Sequence, residues 1–476
     1  MPTGNHGTVT GTGSGKSRPR RTLVVVIVMA SVIAVVAAAL IAVRIHGGMG
    51  HETAASSSAS SSTATVPAAD GEISQTGLSA DAEGETQTVA PHESVFPVES
   101  QQPVEVRPVT VTIAAVGDML MHRGVWQSGE TASGYDFTHL FRGVRDEMAT
   151  CDVRIVNQET PIAGSAFAYS GYPSFNAPFE VADGEAASGI NLVTKATNHT
   201  FDQGYDGVRE ELSLWGQRHP EVAVVGAANP DGNGICPAGG CSPAGPYIFE
   251  KDGFRVAFVN YTEVLNANID PARDPSVISI ASDQRIADDV RWAREVGRAD
   301  AVVALMHWGE EYEEVPVDSE RHWADLFLSL GIDAVIGGHP HVIQPVEEMT
   351  RADGHRMVVF WSVGNFVSTQ INNRNMMGIL AKVALTKDAS GVRVSAYEAI
   401  PTVTHRASGT DFTTYMLRNY TDDLAAENQI RTVEPVPITV EWCQDYCMRL
   451  LGEAYDPATS SIHWVEQPVD RIGSGA

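Results

Sequence analysis

Short apolar segments recur along residues 109–362 and are separated by longer polar or mixed segments. Each is four to eight residues long, is enriched in Val and Ile, and has Gly, Asn or Asp at its boundary. Segments of this length and composition are typical of β-strands. We therefore predict strands at residues 109–116, 153–157, 192–196, 222–225, 255–260, 301–307, 334–337 and 357–362.

Helical periodicity fills several of the intervening segments, where apolar residues share one face of a helix. These helices are predicted at residues 208–217, 284–296 and 320–330. Strands that alternate with helices predict an α/β layered domain. Two later strands, at 378–385 and 392–399, follow each other without a helix and alternate as a β-hairpin does.

The chain divides into segments that differ in amino-acid composition and in the pattern of apolar residues. We place the main domain at residues 109–405, followed by a less regular extension at 406–476 with a helix at 443–453. Residues 46–108 are rich in Ser, Ala, Thr, Glu and Gln, and Phe96 is their one aromatic residue. Such a composition cannot bury enough apolar surface to offset the entropy of ordering. We predict a disordered tether there.

A long apolar segment lies at residues 23–43, where only Ser31 is polar. A helix of this length spans roughly 30 Å, the thickness of the bilayer core. Four basic residues between positions 16 and 21 favour a cytoplasmic stub at 1–21 and a transmembrane anchor at 22–45. Everything that follows is then expected outside the cell membrane. A cleaved signal peptide is the alternative, although its apolar region is usually only about 7–15 residues long.

Charge is distributed unevenly along the chain. The formal net charge is −27, yet residues 1–50 carry five bases and no acid, so the remainder carries −32. Nucleic-acid binding needs clustered cations, so the composition argues against a nucleic-acid partner.

Five cysteines are present, and none has histidine neighbours that would indicate a zinc site. Cys236 and Cys241 lie in a Gly/Pro-rich loop, which we expect a disulfide to close. For Cys443 and Cys447 we expect a local disulfide or none. Cys151 is expected to be a buried thiol just before a strand.

Metal-binding residue types follow five of the predicted strands. Carboxylate, carboxamide and imidazole groups recur where an α/β sheet presents its ligands. One polar residue after a strand is ordinary, but five such strand ends in succession indicate a metal site. This mixture of nitrogen and oxygen ligands suits Zn, Mn or Fe. The residues are Asp118, Asn157, Glu159, Asn198, His199, His307, His339 and His341.

A set of motifs resembles the CapA family, named for the poly-γ-glutamate capsule synthesis protein. The motifs are AVGDML, VNQETPI, ATNHTFDQG, HWGEEY, GGHPHVIQPVE and SVGNF, in matching order over about residues 109–405. The resemblance implies a calcineurin-like metallophosphatase fold, a layered β-sandwich flanked by helices.

The resemblance also implies ligand roles for a divalent centre of one or two Mn, Zn or Fe ions. Glu159 would bridge the two ions. Asn198, His307 and His339 would complete one ion, and Asp118 with His341 would complete the other. Beside the metals, His199 matches the general acid, and Asp202 would orient its imidazole.

The sequence departs from the phosphoesterase pattern at several positions. The usual Asp-x-His of the first motif reads Asp118-Met119-Leu120, and His122 two residues later is not an evident replacement. Gln158 replaces a more usual Leu, and Thr197 replaces a more usual Asn. The missing histidine makes a single-ion site an alternative to a two-ion site.

The resemblance implies a membrane-anchored extracytoplasmic protein that takes part in synthesis, attachment or trimming of an anionic capsule polymer. Poly-γ-glutamate is the leading polymer, and membrane polymer-synthesis subunits are the implied protein partners. The expected chemistry is metal-dependent hydrolysis or transfer at a phosphoester or an amide. Two alternatives are a non-catalytic assembly subunit of a capsule synthesis complex and a secreted metallophosphoesterase.

Overall fold

The computed structural model describes residues 107–228, 244–266, 277–432 and 435–467. The predicted cytoplasmic stub, the membrane anchor, all but the last two residues of the tether and the Cys236–Cys241 loop lie outside these residues. Within them, no helix is both long enough and apolar enough to cross a bilayer.

Eighteen strands are formed by the described residues. They are β1 (Val109–Met119), β2 (Glu130–Thr131), β3 (Gly134–Tyr135), β4 (Val153–Asn157), β5 (Leu192–Thr194), β6 (Ala223–Val225), β7 (Tyr247–Lys251), β8 (Phe254–Thr262), β9 (Ala301–His307), β10 (Ala334–Gly338), β11 (Val346–Thr350), β12 (Arg356–Phe360), β13 (Asn365–Val367), β14 (Met377–Asp388), β15 (Gly391–Ser408), β16 (Asp411–Met416), β17 (Tyr455–Asp456) and β18 (Ser461–Val465).

Eight α-helices accompany these strands in the same described ranges. They are α1 (Arg123–Ser128), α2 (Arg145–Met148), α3 (Glu180–Ala187), α4 (Gly204–Arg218), α5 (Asp283–Glu295), α6 (Asp318–Ser329), α7 (Asp422–Glu427) and α8 (Val440–Leu451).

Two large sheets form the centre of the domain. The ten-stranded sheet has the order β17-β18-β15-β14-β1-β4-β5-β6, with β13 paired to β1 and β16 paired to β15. The six-stranded sheet has the order β11-β12-β10-β9-β8-β7. Strands β1, β4, β5 and β6 run parallel to one another, as do β8, β9, β10 and β12.

The two sheets pack face to face, and strand β9 shows how. Its residues Ala301, Val303 and Leu305 join the core shared with the ten-stranded sheet. The alternate residues Val302 and Ala304 join a second core, with apolar side chains of α5 and α6. Because both faces of the strand are buried, it reads as one continuous apolar segment. The α/β prediction is confirmed, with helices outside a pair of sheets.

Most predicted strands form close to where the sequence placed them. The predictions at 153–157 and 301–307 coincide with β4 and β9. The predicted hairpin is β14–β15, but β15 continues to Ser408 because β16 pairs with its second half. The boundary that we placed after residue 405 therefore falls inside a strand.

The C-terminal residues add to the same sheet and core. Strand β18 pairs with β15, and α8 buries Cys443 and Cys447 in the core between the sheets. The helix begins at Val440, before the predicted start, because the Thr439 hydroxyl accepts a hydrogen bond from the Trp442 backbone N–H at 2.9 Å. Both cysteines are free, as is the buried Cys151.

Candidate metal centre

The predicted ligands lie where parallel strands of both sheets end. Asp118 is near the end of β1, and Glu159 lies two residues after β4. His307 is the last residue of β9, and His339 directly follows β10. Asn198 lies in the turn after β5. Because the carboxyl ends of parallel strands meet at one edge, the topology brings these side chains together.

The two carboxylates of this centre have opposite surroundings. Asp118 accepts hydrogen bonds from Asn157 Nδ2 at 2.7 Å, from the His339 backbone N–H at 3.0 Å and from His341 Nδ1 at 3.0 Å. Glu159 is 0% exposed, and neither of its oxygens has a hydrogen-bond partner. Its Oε1 lies 3.9 Å from His307 Nε2 and 3.7 Å from His341 Nε2.

The imidazoles fall into two sets around Glu159. His307 Nε2 lies 3.0 Å from Asn198 Oδ1 and 3.2 Å from His339 Nδ1. His341 instead contacts Asp118. The family resemblance of the sequence motifs implied the same two sets for two ions, with Glu159 between them. One atom each of Asp118, Glu159 and His307 all lie within 4.8 Å of one another, a spacing that can hold a metal ion.

Backbone conformation aims the two histidines that follow β10. His339 has φ 97° and His341 has φ 58°, in a region that costs a residue with a Cβ roughly 1–2 kcal/mol. Such conformations persist where the surrounding contacts over-determine them. Gly338 permits the close approach of this turn, because a Cβ there would lie 2.5 Å from Asp118 Oδ1.

Burial dominates the proton affinities of the centre. It raises the pKa of Glu159 well above its usual value, although the nearby His341 opposes this shift. Burial lowers the pKa of His307 well below its usual value and, with His341, lowers that of His339 to about 4. Burial also disfavours the charged form of His341, but Glu159 and Asp118 outweigh it and raise the pKa to about 9. The His307 and His339 imidazoles are therefore neutral at neutral pH, whereas His341 carries a positive charge beside the two carboxylates.

His199 and Asp202 form the predicted pair beside the centre. His199 Nδ1 lies 2.8 Å from Asp202 Oδ2, which also accepts the Phe175 backbone N–H at 2.8 Å. The Phe175 ring meets the imidazole edge-on, with centroids 4.8 Å apart. Asn266 Nδ2 lies 3.3 Å from His199 Nε2. The imidazole is thus fixed from three sides.

Several residues of the centre were not assigned roles from the sequence. Asn157 links both sheets, since its Nδ2 contacts Asp118 and lies 3.2 Å from His307 Nδ1. Its position at a strand end was a usable signal. Phe175 and Asn266 lie in loops far along the chain from His199, and no local pattern marks them.

The donor set fits a divalent cation. A buried carboxylate normally accepts hydrogen bonds, and Glu159 accepts none. A cation bound by Glu159, Asp118 and His307 would supply the missing partner, and oxygen with imidazole nitrogen suits such an ion.

Residues 112–370, more than half of the 476-residue chain, match the family model described as bacterial capsule synthesis protein PGA_cap. The chain belongs to this family. The predicted CapA resemblance is thereby confirmed.

Two curated relatives are both named CapA. PGA biosynthesis protein CapA of Bacillus subtilis is 25% identical over 220 residues, which cover 46% of this chain and 52% of that protein. Capsule biosynthesis protein CapA of Bacillus anthracis is 24% identical over 310 residues, which cover 63% of this chain and 69% of that protein. The chain thus spans about half the length of the Bacillus subtilis relative.

A comparison with solved structures gives matches of low sequence identity, two of which are the following. The calcineurin-like phosphoesterase YfkN from Bacillus subtilis is 15% identical with a TM-score of 0.37, and the match covers 62% of this chain and 91% of that chain. Haemophilus influenzae NAD nucleotidase is 13% identical with a TM-score of 0.40, covering 69% and 63%.

The departures from the phosphoesterase pattern have visible structural consequences. Met119 and Leu120, which occupy the rest of the first motif, are buried apolar residues and offer no metal ligand. His122 packs edge-on against Phe175, with centroids 5.2 Å apart, and its Nδ1 lies 3.4 Å from the Thr369 backbone nitrogen. The ring therefore borders the His199 side of the centre.

Proposed function

We propose that this CapA-family protein is a metal-dependent hydrolase or transferase that acts on an anionic capsule polymer, with poly-γ-glutamate as the leading substrate. Family membership supports the link to capsule synthesis. The relatives' names support the polymer, since one is a PGA biosynthesis protein. The reaction is proposed from the geometry of the centre.

One observation carries the proposed reaction. The Glu159 carboxylate is fully buried, has no hydrogen-bond donor, and lies among nitrogen and oxygen atoms of Asp118, His307 and His341. An isolated buried carboxylate is costly unless it is neutralised or coordinates a metal. A structural role alone would be served more cheaply by an apolar residue.

The side chains proposed to hold the cation are Asp118, Glu159, Asn198, His307, His339 and His341. When bound, a divalent ion of the Mn, Zn or Fe type lowers the pKa of coordinated water and screens charge that develops on a phosphoryl or carbonyl oxygen.

His199 is proposed to protonate the leaving group. Its Nδ1 is directed at Asp202, so the proton that a charged imidazole can transfer lies on Nε2. Asp202 fixes the ring orientation, and the hydrogen bond that it accepts from the Phe175 backbone N–H fixes the carboxylate.

The acidic total of the chain is compatible with an anionic substrate. A net charge of −27 would repel a polyglutamate chain at long range. Bound divalent ions reverse the sign of the local potential at the strand ends. Both substrate binding and the reaction are therefore expected to require the cation.

We also propose that residues 22–45 anchor the protein in the cell membrane with the catalytic domain outside. Support comes from the 21-residue apolar segment and the basic residues that precede it. External protease added to intact cells should then remove the domain while a cytoplasmic marker survives. A protected domain would contradict the proposed orientation.

The catalytic proposal is tested with purified full-length protein in detergent. We expect one or two divalent ions per chain, cation-dependent release of glutamate from poly-γ-glutamate, and loss of release in His199→Ala with metal content retained. His322→Ala is the matched control, because His322 is a half-exposed residue that pairs with Asp283 on the helix side. Undiminished release by His199→Ala would contradict the assigned acid, and phosphate release from phosphoesters alone would favour the secreted phosphoesterase.

A second function, a non-catalytic assembly subunit, is favoured by the apolar Met119 and Leu120 in the first motif. With fewer ligands, the centre would act as a structural clamp between the sheets. Capsule production in a deletion strain separates the two functions. Rescue by the His199→Ala protein supports assembly, whereas failure to rescue despite normal protein levels supports catalysis.

A further inference from the structure

The turn after β5 holds the segment that carries Glu159. Lys195 Nζ donates to the carbonyl oxygens of Gln158 at 3.1 Å and Thr160 at 3.4 Å. Between them, the Glu159 carbonyl accepts from Thr197 Oγ1 at 2.7 Å. Three successive carbonyls are therefore bound by two side chains from one neighbouring turn.

Lys195 is a buried charge with an ion-pair partner. Its side chain is 2% exposed, and its Nζ lies 3.0 Å from Glu211 Oε1 on α4, whose own side chain is 3% exposed. The ammonium thus donates hydrogen bonds to two carbonyls and forms an ion pair with one carboxylate. Glu211 Oε2 also accepts the Ile162 backbone N–H at 3.2 Å, so α4 is tied to the same segment.

This arrangement matters because no hydrogen bond orients the Glu159 carboxylate. The position of the carboxylate therefore depends strongly on its own backbone. That backbone is fixed at the carbonyls of residues 158–160. The turn that fixes it continues directly into Asn198 and His199, so one element sets the relative positions of a carboxylate, a carboxamide and an imidazole.

Stability alone gives a weak reason for this buried ion pair. Replacing a buried pair by apolar residues of similar volume is often neutral or stabilising. A ligand-bearing loop, by contrast, must be held within about 0.5 Å of its productive geometry. A charged donor that reaches two carbonyls at once provides such restraint.

We propose that Lys195, assisted by Thr197, is a positioning residue that holds Glu159 in the geometry required for cation binding. The proposal rests on the metal centre proposed above. It concerns the affinity for the cation, which can be measured without any substrate.

The test uses Mn²⁺ titration of metal-stripped full-length protein, with thermal unfolding of the metal-free form recorded in parallel. In Lys195→Met the Mn²⁺ dissociation constant should rise about 10- to 100-fold, the range found for loss of a residue that orients a ligand. This variant also leaves Glu211 unpaired and should unfold at lower temperature.

The double variant Lys195→Met/Glu211→Gln separates positioning from stability, because it removes both charges of this buried ion pair. Its unfolding temperature should recover toward that of the wild type while its Mn²⁺ affinity stays low. Thr197→Val should weaken Mn²⁺ binding about three- to tenfold, the effect of one hydrogen bond. Lys251→Met is the matched control, since Lys251 also bonds a carbonyl and a carboxylate, those of Thr110 and Asp152, and should retain full affinity.

The outcomes are distinct. Wild-type affinity in the double variant would overturn the proposal and leave the metal centre intact. Failure of the wild-type protein to bind Mn²⁺, Zn²⁺ or Fe²⁺ would overturn the metal centre and this inference with it. If Lys195→Met does not fold, the double variant and Thr197→Val still decide the question.

Discussion

The two sheets contribute different chemistry to one centre. The ten-stranded sheet supplies the proposed oxygen ligands Asp118, Glu159 and Asn198, at or just after the ends of β1, β4 and β5. The six-stranded sheet supplies the imidazoles His307, His339 and His341 from β9 and the turn after β10. We call these groups the oxygen half and the imidazole half.

The two halves are held in place by different means. In the oxygen half, hydrogen bonds from Asn157, Lys195 and Thr197 fix the ligands or their backbone. In the imidazole half, left-handed backbone conformations at His339 and His341 direct the side chains, and the rings contact Asn198, Asp118 and one another.

The two halves also differ in the free energy that it costs to keep them buried without a cation. Neutral imidazoles can remain buried because they contact Asn198 and one another. Glu159 has no such partner, so its pKa is raised by burial. The oxygen half therefore depends more strongly on the cation than the imidazole half does.

The largest effect is expected for Glu159→Gln. Removing the charge should weaken Mn²⁺ binding by more than the roughly 100-fold upper range for an orienting residue, because Glu159 is itself a proposed ligand. The metal-free protein should become more stable, since a buried carboxylate without a hydrogen-bond donor is removed. Mn²⁺ titration and thermal unfolding of the metal-free protein measure the two effects.

Glu185→Gln is a control for the stability effect of Glu159→Gln. Glu185 on α3 is likewise buried with both oxygens lacking a hydrogen-bond partner, and burial raises its pKa. Its replacement should stabilise the protein and leave Mn²⁺ affinity unchanged. Equal loss of affinity in both variants would mean that Glu159 is not a ligand.

A pH-dependent effect is expected beneath the imidazole half, at Glu320 on α6. Its carboxylate packs under Gly309, two residues after His307, and burial raises its pKa from 4.5 to about 7. Between these values the folded state holds a proton that the unfolded state releases, so stability falls as the pH rises from about 4.5 through about 7.

Glu320→Gln removes this titration and keeps an oxygen acceptor for the Val317 backbone N–H. The difference in free energy of unfolding between the variant and the wild type should shift in favour of the variant by on the order of 2 kcal/mol from pH 4.5 to pH 8. Urea unfolding at the two pH values measures the difference. A stability difference that is the same at both would contradict the raised pKa.

Gly338→Ala tests the contact between the two halves. The new Cβ would lie 2.5 Å from Asp118 Oδ1 and 3.3 Å from Asn157 Nδ2, so a proposed ligand of the oxygen half must shift. We expect Mn²⁺ affinity to fall about tenfold, as for loss of an orienting contact. Gly409→Ala is the control, since a Cβ at Gly409 meets no atom within 4 Å.

Much of this architecture follows from local sequence pattern. Strand β9 is buried on both faces, so its apolar sequence defines its bounds, and its last residue, His307, marks the edge where the candidate ligands lie. Apolar and polar residues alternate along the β14–β15 hairpin, so its strands are evident from the sequence. The continuation of β15 to Ser408 depends on pairing with β16, which a local pattern does not encode.

The site was predictable to the extent that its residues follow strands. Asp118 and His307 lie at strand ends, and His339 directly follows β10. Glu159 and Asn198 were also predicted after strands, and the family motifs then implied their ligand roles. Lys195 was missed, because a lysine after a strand normally points to solvent, and only the fold places Glu211 beside it. The contact of Asn266 with His199 likewise depends on tertiary packing.

The smallest effect is expected from the backbone of the imidazole half. At His339, with φ 97°, Gly should give a metal-free protein more stable than Ala by roughly 1 kcal/mol or less, because Gly adopts this region without strain but loses more entropy on folding. At His307, inside strand β9, the order should reverse, since Gly weakens a strand. Unfolding of the four metal-free variants measures both differences. The same order at both positions would mean that backbone conformation does not distinguish the turn after β10 from the strand, and the contrast between the two halves would then lie in their hydrogen bonds alone.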